Sequence, residues 1–201
     1  MNRLTTAAVA AALVLFAHQA ALADAKIGKA APAFTLTDAN GKTHSLADFK
    51  GKTVVMEWTN ADCPFVKKHY SGNMQKQQAE ATADDVVWLT VNSSKPGKQG
   101  HVDGKGALEV IARSGGKQTA YLLDAPGAVG KAYGAKTTPH MYVIDEAGTL
   151  QYAGAIDSIP SADKSDIGKA TQYVPQALAD LEAGKPVRVT TSQPYGCSVK
   201  Y

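Results

Sequence analysis

The feature that most constrains this chain is a near-continuous apolar run at residues 53–60. A run without strict alternation, rich in Val and Trp, predicts a strand that is buried on both faces of a sheet. Cys63 and Pro64 follow it, and proline at the first helical position is typical of a helix start. A buried strand that leads into a helix favours a layered α/β fold.

The rest of the pattern predicts a mixed sheet. Asn40-Gly41 is a two-residue hairpin signal near the N-terminus, and 86–91 is a second buried strand. Two further strands at 141–144 and 149–153 form a hairpin, and a helix candidate spans 163–182. We therefore expect an α/β fold with a central mixed β-sheet flanked by helices, an N-terminal β-hairpin and a C-terminal tail.

The first 23 residues have the pattern of a signal peptide. Arg3 precedes an unbroken apolar stretch at 7–17, and Ala21-Leu22-Ala23 fits a small-residue cleavage site. The alternative, a membrane anchor, needs roughly 20 apolar residues. Cleavage after Ala23 predicts a periplasmic or secreted protein that has no membrane contact after processing.

The processed chain is expected to form one domain at 24–184 and a tail at 185–201. Its formal charge falls from +3 to about +2 because Arg3 leaves with the signal peptide. This charge is too small to favour nucleic acid or a membrane surface as a partner.

Cys63 is the first candidate for chemistry. The backbone N–H groups at a helix N-terminus favour a thiolate, which is the reactive form of cysteine. Lys67 could add to this effect, whereas Asp62 opposes it and could cap the helix. The alternative is an inert cysteine, because free cysteine is often buried.

Glu57 and Pro139 are the next candidates. A carboxylate within an apolar strand is costly unless it is paired or protonated, so a buried Glu57 would have a raised pKa suited to proton transfer. The alternative is a Glu57 that reaches solvent. Pro139 precedes an apolar strand, where a cis peptide bond is one explanation and a trans bond the other.

Together these residues resemble the thioredoxin superfamily, and in particular the redoxin group of TlpA-like and peroxiredoxin-like proteins. The resemblance is carried by the motifs at 57–64 (EWTNADCP) and 133–145 (YGAKTTPHMYVID). It implies that Cys63 is the attacking cysteine, Pro139 the cis-proline beside it and Glu57 the buried acid. It also implies a thiol-dependent oxidoreductase acting on protein thiols or disulfides, or on a small peroxide, with an external thiol reductant and no cofactor.

The sequence also departs from that group. Val66 stands where thioredoxins have their second cysteine, so no local disulfide can form. Asn60 and Met56 replace the threonine or serine and the proline that precede a peroxidatic cysteine, and Pro139 stands where many peroxiredoxins have arginine. The usual peroxide-polarising donors are therefore not evident.

Cys197 is the other cysteine of the chain. We expect it to resolve an oxidised Cys63, because unpaired thiols in oxidising compartments are liabilities. Two alternatives are a structural Cys63–Cys197 disulfide in a non-catalytic binding protein, and an unpaired terminal thiol.

His140 allows a third hypothesis, in which it binds copper together with Cys63. Packing or surface exposure of His140 is the competing interpretation, because one Cys and one His do not make a complete ligand set. The sequence therefore predicts no resident metal.

Overall fold

The computed structural model describes residues 24–201, so the signal peptide expected at 1–23 lies outside the described residues. Within 24–201 no helix has the length and apolar character needed to cross a bilayer. The strands are β1 (Thr35–Asp38), β2 (Thr43–Ser45), β3 (Val54–Trp58), β4 (Val87–Asn92), β5 (Ala120–Leu123), β6 (Thr137–Thr138), β7 (His140–Ile144), β8 (Leu150–Gly154) and β9 (Cys197–Ser198). The α-helices are α1 (Pro64–His69), α2 (Asn73–Ala83), α3 (Gly104–Ser114), α4 (Ala128–Tyr133) and α5 (Tyr173–Glu182).

Seven strands form one mixed sheet in the order β2-β1-β5-β4-β3-β7-β8, and β6 pairs with β9 separately. β3 runs parallel to β4 and antiparallel to β7, which gives the mixed character predicted from the sequence. The N-terminal hairpin of β1 and β2 and the terminal hairpin of β7 and β8 are both confirmed.

The central strand β3 is buried along its whole length, as its apolar run predicts. Met56 and Trp58 pack on one face of the sheet against Tyr133 of α4 and Tyr142 of β7. Val55 packs on the other face with side chains of α2 and α5. Two apolar layers therefore cover the strand whose end presents Cys63.

Helix boundaries differ from the sequence prediction in two places. The candidate helix at 163–182 is a 3-10 turn at Lys164–Lys169 followed by α5, whose first turn contains Pro175. Proline is tolerated there because its missing N–H would have no helical partner. Helix α3 begins at Gly104, ahead of the expected 107, because the Asp103 side chain accepts from the Gly106 N–H and caps the helix.

The C-terminal tail is packed onto the domain. Residues 190 and 191 lie along β8, where the Ala153 N–H donates to the Thr190 carbonyl oxygen, and Val199 donates its N–H to the Lys136 carbonyl oxygen. The tail then forms the short strand β9, which the sequence did not predict. β9 pairs with β6 near Cys63.

Candidate active site

Cys63 is the N-cap residue of α1, and its side chain is fully buried. The backbone of Val66, in the first turn of the helix, lowers the pKa of the sulfur. The thiol donates to the Thr138 carbonyl oxygen over 3.1 Å. The helix therefore begins at Cys63, as expected. Asp62 is not its N-cap residue, and the Asp62 N–H donates to the side chain of Asn60.

Cys197 reaches Cys63 through the pairing of β6 with β9. In this two-stranded sheet Cys197 lies opposite Thr138, whose hydroxyl donates to the Cys197 carbonyl oxygen over 3.4 Å. The Cys63 sulfur and β9 thus meet at Thr138, where the two thiols shift each other's pKa and are not joined by a disulfide. The structure thus brings together two cysteines that are far apart in the sequence.

Because the two thiols influence each other, the pKa of Cys63 is lowered and the pKa of Cys197 is raised. Burial by itself raises the pKa of Cys63, but hydrogen bonds from the Cys197 thiol, the N–H groups of Val66 and Cys197 and the Thr138 side chain outweigh it. The pKa of Cys63 is therefore below its ordinary value. Burial, together with the hydrogen bond to Cys63 and its charge, raises the pKa of Cys197 to about 11. Cys63 is thus the better thiolate of the pair.

Glu57 is fully buried, which rejects the alternative of a solvent-reaching side chain. Its carboxylate accepts hydrogen bonds from Tyr70 at 2.9 Å, Trp88 at 3.0 Å, Gln78 at 3.1 Å and Thr90 at 3.2 Å. Burial raises the pKa of Glu57 even though these four donors lower it. Among the described residues, no hydrogen bond joins Glu57 directly to Cys63.

Pro139 follows a cis peptide bond after Thr138, as the resemblance implies. His140 comes next, but its ring does not hydrogen-bond the thiol in the described part of the chain. Its Nδ1 accepts from the Lys136 N–H and lies 3.2 Å from the Tyr142 hydroxyl. Burial lowers the pKa of His140 to about 4, so the imidazole is neutral near pH 7.

Lys67 lies in α1, and its effect on the Cys63 thiolate stays a prediction. It lines a cavity of about 390 Å³ between α1 and α3, together with Arg113. Residues 24–201 contain no group of three or more His, Cys, Asp and Glu side chains that could hold a metal ion.

Sequence reasoning missed a buried polar cluster at the far end of α1. It consists of Lys68, His69, Asp157 and Tyr195, which we call the tail clamp. Lys68 follows the exposed Lys67, and the local sequence does not distinguish the two lysines. The one available signal was Tyr195, an aromatic residue two positions before Cys197.

The family follows from comparison with known proteins, because the Redoxin family model matches residues 26–171. The chain is a redoxin. The matched span contains Glu57, Cys63 and Pro139 and ends before Cys197.

Relatives of this redoxin agree with that assignment. It is 28% identical over 132 residues to thiol-disulfide oxidoreductase ResA of Geobacillus thermodenitrificans (strain NG80-2). The aligned residues cover 62% of this chain and 67% of the relative. An uncharacterized conserved protein from Geobacillus kaustophilus is 27% identical with a TM-score of 0.75, covering 88% of this chain and 92% of that one. A hypothetical protein from Sinorhizobium meliloti 1021 shares the fold with a TM-score of 0.74 at 24% identity, over 88% of this redoxin and 94% of that chain.

Proposed function

We propose that this redoxin is an exported thiol–disulfide oxidoreductase in which Cys63 is the nucleophile and Cys197 the resolving cysteine. The observation that carries the proposal is the β6–β9 pairing, which places Cys197 opposite Thr138, the residue whose carbonyl oxygen accepts from the Cys63 thiol. The matched family and the relatives named thiol-disulfide oxidoreductase support the same chemistry.

The reaction is a two-step exchange. The Cys63 thiolate attacks one sulfur of a substrate disulfide, forming a mixed disulfide and releasing one substrate thiolate that takes up a proton. The Cys197 sulfur then loses its proton and attacks Cys63, which releases the second substrate thiol. One substrate disulfide is reduced to two thiols while two protein thiols become the Cys63–Cys197 disulfide. An external dithiol that is oxidised in turn restores the two thiols.

A disulfide is a better substrate for this site than a small peroxide. The Asn60 amide, the candidate that the sequence offers to polarise a peroxide, donates to the Gln99 carbonyl oxygen and accepts from the Asp62 N–H. Arg188 is committed to a salt bridge with Asp180, and Arg113 lines the cavity between α1 and α3. A thiolate without such donors still exchanges with disulfides, because the leaving group there is a stable thiolate.

Glu57 is proposed to accept and return protons, and Pro139 to shape the groove beside Cys63. Tyr70 supports the first role, because it lines the cavity between α1 and α3 and its hydroxyl donates to Glu57. Export fits the pairing of two cysteines, since disulfides persist in oxidising compartments.

The test compares four proteins that lack residues 1–23: the wild type, Cys63→Ser, Cys197→Ser and the double variant. Each reduced protein is mixed with a protein disulfide and, separately, with hydrogen peroxide. We expect rapid reduction of the disulfide by the wild type, none by Cys63→Ser, and a trapped mixed disulfide with Cys197→Ser. Equal, negligible rates for the wild type and Cys63→Ser would refute the proposal, and a faster reaction with peroxide would reassign the substrate.

A redox titration separates catalysis from a permanent structural bridge. The Cys63–Cys197 disulfide of the wild type is equilibrated with glutathione buffers of increasing reducing strength. A bridge that opens reversibly at moderate potential supports exchange, whereas one that resists reduction, below about −300 mV, indicates a structural disulfide.

A further inference from the structure

The tail clamp contains a lysine that is unusual for its burial. The Lys68 side chain is inaccessible to solvent, and its Nζ lies 3.3 Å from Asp157 Oδ2 and 3.3 Å from the Ile159 carbonyl oxygen. Removing both charges of such a pair from water often costs as much as their attraction returns. Stability of the domain alone therefore does not explain why an ion pair occupies this place.

Tyr195 connects that ion pair to the tail. Its hydroxyl donates to Asp157 Oδ1 and lies 3.1 Å from His69 Nε2. The other nitrogen of His69, Nδ1, accepts from the Asn73 amide at 2.8 Å, so Nε2 carries the proton and donates to Tyr195. The Tyr195 hydroxyl is therefore satisfied on both sides by buried partners.

The Tyr195 ring is also packed against α1. Phe65 meets it edge to face with ring centroids 5.7 Å apart, and Lys68 Nζ lies 5.7 Å from the centroid. Phe65, Lys68 and His69 all belong to the helix that begins at Cys63. One short helix thus carries the nucleophile at its start and the anchor of the tail along its length.

The short segment after Tyr195 fixes the position of Cys197 relative to the anchored Tyr195. Gly196 adopts a φ of +130°, and a Cβ at this position would overlap with the Thr138 carbonyl oxygen. Only glycine lets the chain pass that close, and Cys197 then enters β9 opposite Thr138. The position of Tyr195 therefore determines where the Cys197 thiol lies.

We propose that the tail clamp is a positioning device: it holds Cys197 over Cys63, and its release opens Cys63 to the substrate. This inference rests on the proposed pairing of the two cysteines. Tyr195 is the residue whose hydroxyl joins the tail to the domain. Lys68, His69 and Asp157 form the site on the domain that binds it. A substrate disulfide reaches the fully buried Cys63 only when Tyr195 and the tail detach from that site.

The experiment measures the alkylation of Cys63 by iodoacetamide in the reduced protein, followed by peptide mass so that Cys197 is counted separately. Because the closed state protects Cys63, the rate is proportional to the open fraction. Tyr195→Phe keeps the ring and removes both hydrogen bonds, so we expect alkylation of Cys63 about tenfold faster than in the wild type.

Tyr173→Phe is the matched control. Its ring packs in a tilted arrangement against Tyr152 with ring centroids 6.0 Å apart, and within 24–201 its hydroxyl makes no hydrogen bond, so the rate should equal that of the wild type. A chain that ends at Pro194 gives the rate of a fully open site. If Tyr195→Phe does not fold, His69→Asn, which alters one partner of the hydroxyl, is expected to raise the rate severalfold.

An alkylation rate in the Tyr195→Phe variant within twofold of the wild type would overturn the proposal. So would a rise matched by a general loss of stability in thermal unfolding, because a merely structural role exposes the whole chain. The measurement needs no turnover. It therefore distinguishes failure of the clamp from failure of the proposed oxidoreductase activity.

Discussion

Gly196→Ala is the sharpest test of how the tail is held. A methyl group there would overlap with the Thr138 carbonyl oxygen and lie 2.9 Å from its carbonyl carbon, so the backbone of β9 must move. The φ of +130° adds strain, since a side chain in such a region costs about 1–3 kcal/mol. Gly184→Ala is the matched control, because its φ is +64° and no atom lies within 4 Å of the added methyl.

We expect the overlap to destabilise the docked tail by about 2 kcal/mol more than the control substitution, which corresponds to about thirtyfold more opening. The assay is amide hydrogen exchange of the reduced protein. The Val199 N–H, which donates to Lys136, reports opening of the tail, and the Met56 N–H in β3 reports opening of the core.

The expected result is faster exchange at Val199 in Gly196→Ala, with exchange at Met56 unchanged relative to Gly184→Ala. Equal exchange at Val199 in the two variants would refute the close approach of β9 to β6. Faster exchange at both amides would show that the substitution unfolds the domain and does not act on the tail.

Three further outcomes follow from buried charges. Burial raises the pKa of Glu57, so its stabilising contribution is present below the ordinary value of 4.5 and is lost as pH rises through the raised pKa. In urea unfolding between pH 4 and 8, the wild type should therefore lose stability relative to Glu57→Gln as the pH rises, and parallel curves would contradict it. The pKa of His140 is lowered from 6.5 to about 4, so about 3 kcal/mol of stability is lost as pH falls across that window. The same unfolding assay with His140→Asn should remove that loss, whereas an unchanged slope would count against a buried neutral imidazole. Lys68→Met should lower the free energy of unfolding by about 3–5 kcal/mol, because Asp157 stays buried without its cation. The control Lys76→Met breaks an exposed pair and should change the free energy of unfolding, measured by thermal unfolding, by no more than about 0.5 kcal/mol. A similar loss of stability in both variants would argue against burial as the cause.

The part of the fold that the sequence predicts is the part specified locally. The apolar run that forms β3 and the Cys63-Pro64 junction that begins α1 each contain their own signal, namely burial on both faces and a proline in the first turn. Their positions needed no knowledge of the rest of the chain. Glu57 was recognisable because a carboxylate in such a strand is chemically out of place.

The tail clamp and β9 depend on contacts between distant segments, which local patterns do not encode. Lys68 is buried only because Asp157, 89 residues later, lies opposite it. The two residues of β9 have no strand signal of their own and pair because Gly196 fits against Thr138. The sequence therefore predicted the position of Cys63 at the start of α1 but not the contacts that hold the tail and Cys197.

The complete burial of Cys63 has a consequence for chemical damage. A thiolate exposed to oxidants passes through sulfenic acid to sulfinic and sulfonic acids, and the later products do not return to the thiol by exchange. With the proposed opening of the tail, Cys63, which is buried beneath β9, would meet an oxidant only in the openings that also admit a substrate. A sulfenic acid formed in such an opening faces Cys197 as soon as the tail closes, and condensation with that thiol ends the oxidation at a reversible disulfide.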